Sequence, residues 1–566
     1  MPPRRSSRAP PPKATAENTA KPAAKPASKP STKTATKAAA KPTSKPAARG
    51  RPKTVKRPSS PENSPPPPAK RSRPLSKLPS NGAITEENPK EKALKAAIKK
   101  VAPPRARKVA TEPVSYFNAL PSPPEHHRPA PQLFTWGAGN FGQFGMGPDI
   151  LAEFDKPRKS PWVEKKITED TFGEDGGSLE AIAAGGLHTL FIDEKGTIWS
   201  CGTNDNAALG RVTSNVPDPD KPGEFLDIDT LTSFPYPLES LVEENFRAVR
   251  VAAGDSISAA ISDKGELRVW GSFRAAEGAL GFSSSNEHQF KPSPILDLKS
   301  KPNNPEKFTA VAAGNNHLLV LTTHGNVYAW GTGEQGQLGR KVIERRKIHG
   351  TVPEKIVLGS RSRKAVVIGA GGYTSFAVDD KGTVWAWGLN NMGQTGTGIA
   401  SGTADPEVQR PQKVEKVSAS ALTEGETVVE IAGGEHHTLF LTSKGNVYAC
   451  GRSEGGQLGL EDDDEALENN ETPGMLAEPA LVTFPDDDDP IVHISAGIHN
   501  NLAVSKAGAL YTWGIGPQGE LGAGDETEIR TPKMIVRKEG GAWNAIAASC
   551  GGQHTLALLK RKTPAS

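Results

Sequence analysis

Between residues 182 and 522 one pattern occurs six times: a small apolar run, a polar pair, an apolar strand, a tight turn, a second strand closing on Trp-Gly or Cys-Gly, and a Gly-rich loop. The third copy, VAAGNNHLLVLTTHGNVYAWGTGEQGQLG, displays every part, and the copies begin at residues 182, 251, 311, 368, 431 and 494. Two fragments complete the count. Residues 546–560, IAASCGGQHTLALLK, hold only the first half of the pattern, and residues 133–145, LFTWGAGNFGQFG, only the second half. Six whole units and two complementary halves define a circle of seven in which both ends of the array meet inside one unit. Such closure pairs the strand edges that an open array would leave exposed.

Within each unit apolar residues alternate with period two and are interrupted by turn residues, which reads as antiparallel hairpins. The expected fold is therefore all-β: a seven-bladed β-propeller over residues 133–560, closed by pairing of its N- and C-terminal segments. Trp136, Trp199, Trp270, Trp330, Trp387 and Trp513 are expected to pack between blades. One slot holds His188, His317, His437 and His554, with Ile257, Thr374 and Asn500 in the other copies. Its recurrence predicts a buried imidazole bonded to neighbouring backbone, and the Ile257 replacement argues against a ring of metal ligands.

Residues 1–110 are a different material. They carry 28 Lys+Arg against 5 Asp+Glu, 22 of the 50 prolines and no aromatic residue, whereas the rest of the chain carries 41 basic and 59 acidic residues. Such a segment buries too little apolar surface to offset its chain entropy. A disordered basic tail is expected over 1–110, a linker over 111–132 and a short C-terminal tail over 561–566. The run KPAAKPASKPSTKTATKAAAKPTSKPAA resembles a linker-histone tail in composition, suited to neutralising DNA phosphates without reading bases. Two tighter clusters, Arg51, Lys53, Lys56 and Arg57, then Lys70, Arg71 and Arg73, suggest recognition by a nuclear import receptor. No apolar run of about 18 residues predicts a membrane span, and the charged N-terminus lacks the apolar core of a secretory signal. Three cysteines without a Cys-x-x-Cys spacing suit a reducing compartment and predict no zinc site. No P-loop, nucleophile–base set or metal motif is present, so no cofactor, metal or covalent chemistry is expected.

Positions filled alike in every copy serve the scaffold; positions that vary with polar residues are free to serve a partner. The slot before the histidine holds Leu187, Ser256, Asn316, Tyr373, His436, His499 and Gln553. The slot before that holds Gly186, Asp255, Asn315, Gly372, Glu435, Ile498 and Gly552. Both fall at strand starts, so they should ring one face of the propeller, as a binding surface does. The Gly-rich loop of the second copy is also irregular, reading GSFRAAEGALGF where Phe273 and Arg274 replace small residues. An aromatic and an arginine on a projecting loop are expected to anchor a partner.

The AxGxxHTxxL…GxVYxWG…GQLG pattern resembles the regulator of chromosome condensation repeat throughout residues 133–560. Nuclear members of that family are guanine-nucleotide exchange factors for the Ran GTPase. The resemblance implies that Gly271, Ser272, Phe273 and Arg274 begin a wedge that pushes in beside the GTPase's phosphate-binding loop. It matches Asp255 and His436 to GTPase-facing positions, and it puts Asn316 where a second acidic residue is expected. It also implies that Arg340, Arg345 and Arg346, in the loop after Leu338-Gly339, meet the acidic patch of the nucleosome. The expected function is chromatin-bound, nuclear exchange on a Ran-type small GTPase, promoting GDP release by stabilising the nucleotide-free state and supporting nucleocytoplasmic transport and mitosis. Expected partners are that GTPase, nucleosomes and DNA through the basic tail and loop, and an import receptor, with no membrane. The alternative is a non-catalytic chromatin-binding adaptor, which the Asn316 change favours.

Overall fold

A computed structural model describes residues 115–299, 303–398, 406–470 and 472–563. The expected tail, with its basic clusters from Arg51 to Arg73, lies outside the described residues.

Seven four-stranded antiparallel units are present among the described residues. We number these blades in chain order. Blade 1 has its first three strands at Leu179–Ala184, His188–Asp193 and Ile198–Gly202. Blade 2 is built on Ala248–Ala253, Ile257–Ser262, Leu267–Gly271 and Gln289–Ser293, and blade 3 on Phe308–Ala313, His317–Thr322, Val327–Gly331 and Glu354–Ile356. Blades 4, 5 and 6 have their second strands at Thr374–Asp379, His437–Thr442 and Asn500–Ser505. Blade 7 is the composite the sequence predicts. Its two inner strands, Trp543–Cys550 and His554–Arg561, come from one end of the array and its two outer strands, Gln132–Ala138 and Glu153–Lys159, from the other. The junction is a full antiparallel ladder in which Phe134 faces Ala557 and Trp136 faces Thr555.

Each hairpin is fixed locally by the last residue of its second strand. The side-chain oxygen there accepts a backbone N–H four residues on: Thr197 to Asp193, Glu266 to Ser262, Asn326 to Thr322, Thr383 to Asp379, Asn446 to Thr442 and Ala509 to Ser505. This satisfies turn N–H groups that would otherwise depend on solvent.

The first strands converge on the axis, which demands small residues. Gly185, Gly254, Gly314, Gly371, Gly434, Gly497 and Gly551 close a cycle. A Cβ on any of them would stand 3.0 Å or less from the carbonyl oxygen of its counterpart in the next blade, and Gly551 meets Gly185. Side chains there would force the blades apart.

Blades are joined further out by one repeated latch. A carbonyl in the Gly-rich loop of every blade but the second accepts two donors from the next. Gln337 O takes Ser375 Oγ at 2.7 Å and Trp387 Nε1 at 2.9 Å. Ala208 O takes Ser258 Oγ and Trp270 Nε1, Gln457 O takes Asn501 Nδ2 and Trp513 Nε1, and Glu520 O takes Thr555 Oγ1 and Trp136 Nε1. Where cysteine replaces tryptophan the thiol reaches the same atom: Cys201 and Thr189 meet Gln143 O, and Cys450 and Thr438 meet Gln394 O. The Gln of the Gly-Gln-Leu-Gly motif shapes its own loop by accepting the N–H two residues back, as Gln335 N to Gln337 Oε1 shows. Trp199 does not belong to this set. It fills the slot of Trp385, two residues before the latch position, and like Trp385 it donates to the aspartate closing the hairpin.

The recurrent histidine bonds a side chain rather than backbone. His188 Nε2 meets Ser258 Oγ, His317 Nε2 meets Ser375 Oγ, His437 Nε2 meets Asn501 Oδ1 and His554 Nε2 meets Thr189 Oγ1, at 2.7 to 2.9 Å. The three hydroxyls already donate to latch carbonyls and Asn501 Oδ1 can only accept, so in each case Nε2–H is the donor. Burial holds His188, His317 and His437 down at about 4 and His554 at about 3. The unfolded chain takes up protons below about pH 6.5 that the folded chain refuses until about pH 4. Stability therefore falls as pH drops through that window, by about 1.4 kcal/mol per pH unit for each histidine. Asp193, pushed up to about 6 by burial, acts in the opposite sense below that pH and offsets part of the effect. Urea unfolding should give a lower midpoint at about pH 5 than at about pH 7, and His437→Gln should flatten that dependence. Equal midpoints would mean that the belt is not held neutral.

Candidate functional site

The turns between first and second strands gather on one rim around an axial channel of about 500 Å³, with Asp255, Asn315 and Glu435 in its lining. Backbone bonds run from blade to blade along this rim, including Asp255 N to Asn315 O, Asn315 N to Gly372 O and Glu435 N to Ile498 O. The side chains here are thus carried on a stiff ring. Asp255 is partly exposed and its carboxylate lies 3.5 Å from the Arg274 guanidinium. His436 is partly buried, with Gln394 Nε2 at 3.5 Å from its Nδ1. Burial lowers the basicity of His436 while the Glu435 carboxylate opposes that shift, and His499 beside it behaves alike.

The irregular loop of blade 2 forms a short hairpin, Phe273–Ala275 paired with Gly278–Gly281, that stands on the same rim. It interrupts the latch. Blade 3 carries Leu318 where its neighbours have Ser, Thr or Asn, and the buried Trp330 Nε1 finds no protein acceptor. Phe273 fills the resulting space. It is fully buried in one apolar cluster with Ile257, Leu318 and Trp330. The exposed anchor expected at Phe273 is therefore a plug in the core, because the absent carbonyl leaves an apolar socket that an aromatic ring closes. Ser272 is buried beside it, and Gly271 is required by close approach, since a Cβ would meet Ser256 O at 2.2 Å. Exposure begins at Arg274, whose side chain is 52% accessible. Asn316 accepts the backbone N–H of Arg274 on Oδ1 at 2.8 Å, so it orients the hairpin as well as facing outward.

The basic loop after Gly339 divides in two. Arg345 and Arg346 are exposed. Arg340 is folded inward, donating to Gly350 O and Val352 O and lying 3.5 Å from Glu354, with burial lowering its basicity. Arg340 thus shapes the loop that presents the other two. The segment expected as a linker packs on the propeller where described: Asn118 bonds Thr322 O and Ala365 O, and Arg128 pairs with Glu194. Sequence reasoning missed Leu318 and the histidine-to-isoleucine change at Ile257 as one event. The signal was available, since both lie beside the irregular loop that carries Phe273 and Arg274 in place of small residues.

Residues 132–557 match the family described as the RCC1-like domain. The chain is 33% identical over 429 residues to Protein pim1 of Schizosaccharomyces pombe, covering 75% of this chain and 74% of that protein. It is 33% identical over 443 residues to Guanine nucleotide exchange factor SRM1 of Saccharomyces cerevisiae, covering 75% and 86%. Among solved structures it is similar to Prp20p of Saccharomyces cerevisiae, reported with its binding properties to Gsp1p and histones, at a TM-score of 0.65 and 28% identity over 79% of this chain and 94% of that one. A structure of Kap60 bound to Prp20 matches with the same score and identity over 82% and 97%.

Phe273→Ala should destabilise the propeller by about 3–5 kcal/mol, as emptying a core socket does. Arg274→Ala, which removes only a solvent-exposed ion pair, should stay within about 1 kcal/mol of wild type. Chemical denaturation of the two variants checks this; equal, small losses would return Phe273 to the surface.

Proposed function

The chain belongs to the regulator of chromosome condensation family, and from that premise we propose that it is a guanine-nucleotide exchange factor for a Ran-type small GTPase, held on chromatin in the nucleus. The observation that carries the reading is the hairpin at Arg274–Leu280, raised beside Asp255 on the rim at the junction where the blade latch gives way. The names of the relatives support it: one is a guanine nucleotide exchange factor, and another is described with Gsp1p and histones as partners.

Exchange needs no covalent step. A GTPase that holds its nucleotide at about picomolar affinity faces roughly 16 kcal/mol to release it. A partner accelerates release only by binding the empty GTPase better than the loaded one, and by reciprocity nucleotide then weakens the partner's grip by the same factor. In this reading the hairpin enters beside the phosphate-binding loop and displaces it, while Asp255 and His436 hold the flanking surface. GDP leaves, the empty GTPase stays docked, and GTP, in cellular excess, ends the complex. Asn316 supplies the hairpin with an acceptor that a carboxylate would also supply, so loss of charge there leaves that bond in place.

Chromatin contact is proposed for the tail of residues 1–110 and for Arg345 and Arg346, with Arg340 as their support. A guanidinium is suited to bidentate contact with acidic side chains. Nuclear entry is proposed through the clusters from Arg51 to Arg73, and the Kap60 complex of the relative supports an import-receptor partner.

Release of a fluorescent GDP analogue from a purified Ran-type GTPase should be strongly accelerated by the full chain, and Asp255→Ala or His436→Ala should slow it without lowering thermal stability. No acceleration, with the GTPase folded and loaded, would leave the chromatin-binding adaptor as the surviving reading. Deleting residues 1–110 should reduce retention on chromatin and its salt sensitivity while exchange in solution stays near wild type; equal loss of both would refute separate roles for tail and propeller.

A further inference from the structure

The hairpin that lacks a latch has a different holder, and it lies at the tip. Ala276 N donates to Glu334 Oε2 at 2.9 Å. Glu277, next along the tip, lies 3.2 Å from Lys347 Nζ. Lys347 Nζ also meets Glu334 Oε1 at 2.6 Å and Glu344 at 2.7 Å. At the base Arg274 N donates to Asn316 Oδ1, and Arg274 O accepts from Thr332 Oγ1 at 2.8 Å. Every one of these holders belongs to blade 3, including the turn Glu344–Thr351 between its third and fourth strands.

The charges decide what this arrangement does. Three carboxylates, from Glu277, Glu334 and Glu344, converge on one ammonium, and the Lys347 side chain is only 19% exposed. Hydrogen bonds to these carboxylates, that to Glu334 foremost, hold Lys347 protonated beyond the usual lysine range. Glu277 and Glu344 are largely exposed and screened by solvent, but Glu334 is as sheltered as Lys347, so removing the ammonium would leave the Glu334 that accepts from Ala276 without its counter-ion.

We propose that Lys347 and Glu334 are positioning residues that set the angle of the hairpin and so the rate of nucleotide release. The proposal rests on the exchange-factor reading. Neither residue needs to touch the GTPase. They act through Ala276 and Glu277, and they replace on the hairpin's outer side the fixation that the absent latch no longer gives its inner side.

The test combines kinetics with an observable independent of exchange. In the GDP-release assay with the full chain, Lys347→Ala should lower kcat about tenfold with KM within about twofold, and Lys347→Arg should recover to within about threefold of wild type. The melting temperature should not change. In parallel, hydrogen–deuterium exchange should quicken about tenfold at the Ala276 amide in both Lys347→Ala and Glu334→Ala. Unchanged kcat in an active protein, or an arginine variant as slow as the alanine one, overturns the proposal. Should the wild type release no GDP, the functional reading fails by itself and the amide decides the holder: faster exchange in the variants supports it, and unchanged exchange overturns it.

Discussion

One carbonyl oxygen in the Gly-rich loop organises the propeller. It is the atom on which every blade but the second catches the next, through a hydroxyl or amide of the second strand and an indole or thiol of the third. A net protein hydrogen bond contributes only about 1 kcal/mol, but a buried donor left alone costs more than that. The loop must therefore hold its shape, and that is the work of its Gln side chain and positive-φ glycines such as Gly336 and Gly339. The glycine cycle at the axis sets how near the blades come, the latch sets how they are turned, and the composite blade 7 closes the glycine cycle and carries the latch across the chain ends.

The exception follows from the same constraint. Blade 2 gives up the loop for a hairpin, and three positions change together: Phe273 enters, Leu318 replaces a hydroxyl and Ile257 replaces the imidazole whose partner that hydroxyl would be, while the unchanged Trp330 is left without its acceptor. Burying a phenylalanine ring yields about 2–3 kcal/mol and an orphaned indole N–H costs about 1–3 kcal/mol. The junction is close to neutral, so the propeller tolerates one such break. It is also the place where an element can rise from the rim without dismantling the ring.

Much of this was legible in the sequence because repeats carry their own controls. The circle of seven follows from two complementary halves, and the variable rim follows from comparing slots, with no side-chain geometry needed. What was not legible has a common cause. Trp199 sits two residues from the latch slot and reads as its equal until the register is known. Phe273 reads as a surface anchor because it stands beside Arg274 on a loop expected to project, and only the missing carbonyl beneath it explains its burial. Arg340 resembles its exposed neighbours in type, yet Gly350 and Val352 lie within its reach once the chain turns back. The holders Glu334 and Lys347 are separated by a turn that no repeat comparison aligns.

In the proposed role the protein works by differential binding and has no chemistry to lend, so its leverage depends on how little it yields. If docking bends the hairpin as readily as it bends the phosphate-binding loop, the binding energy relaxes into the factor and the nucleotide stays. The latch and glycine ring make the rim stiff, and the glycine ring runs unbroken past Gly254 and Gly314, but the latch stops at the blade 2–3 junction, where the hairpin rises. The charged contacts from Glu334 and Lys347 to Ala276 and Glu277 are what resist bending there. A gap in the latch of an otherwise closed ring lets the hairpin out, and in the proposed role the local ionic brace returns to it the stiffness that the missing latch would give.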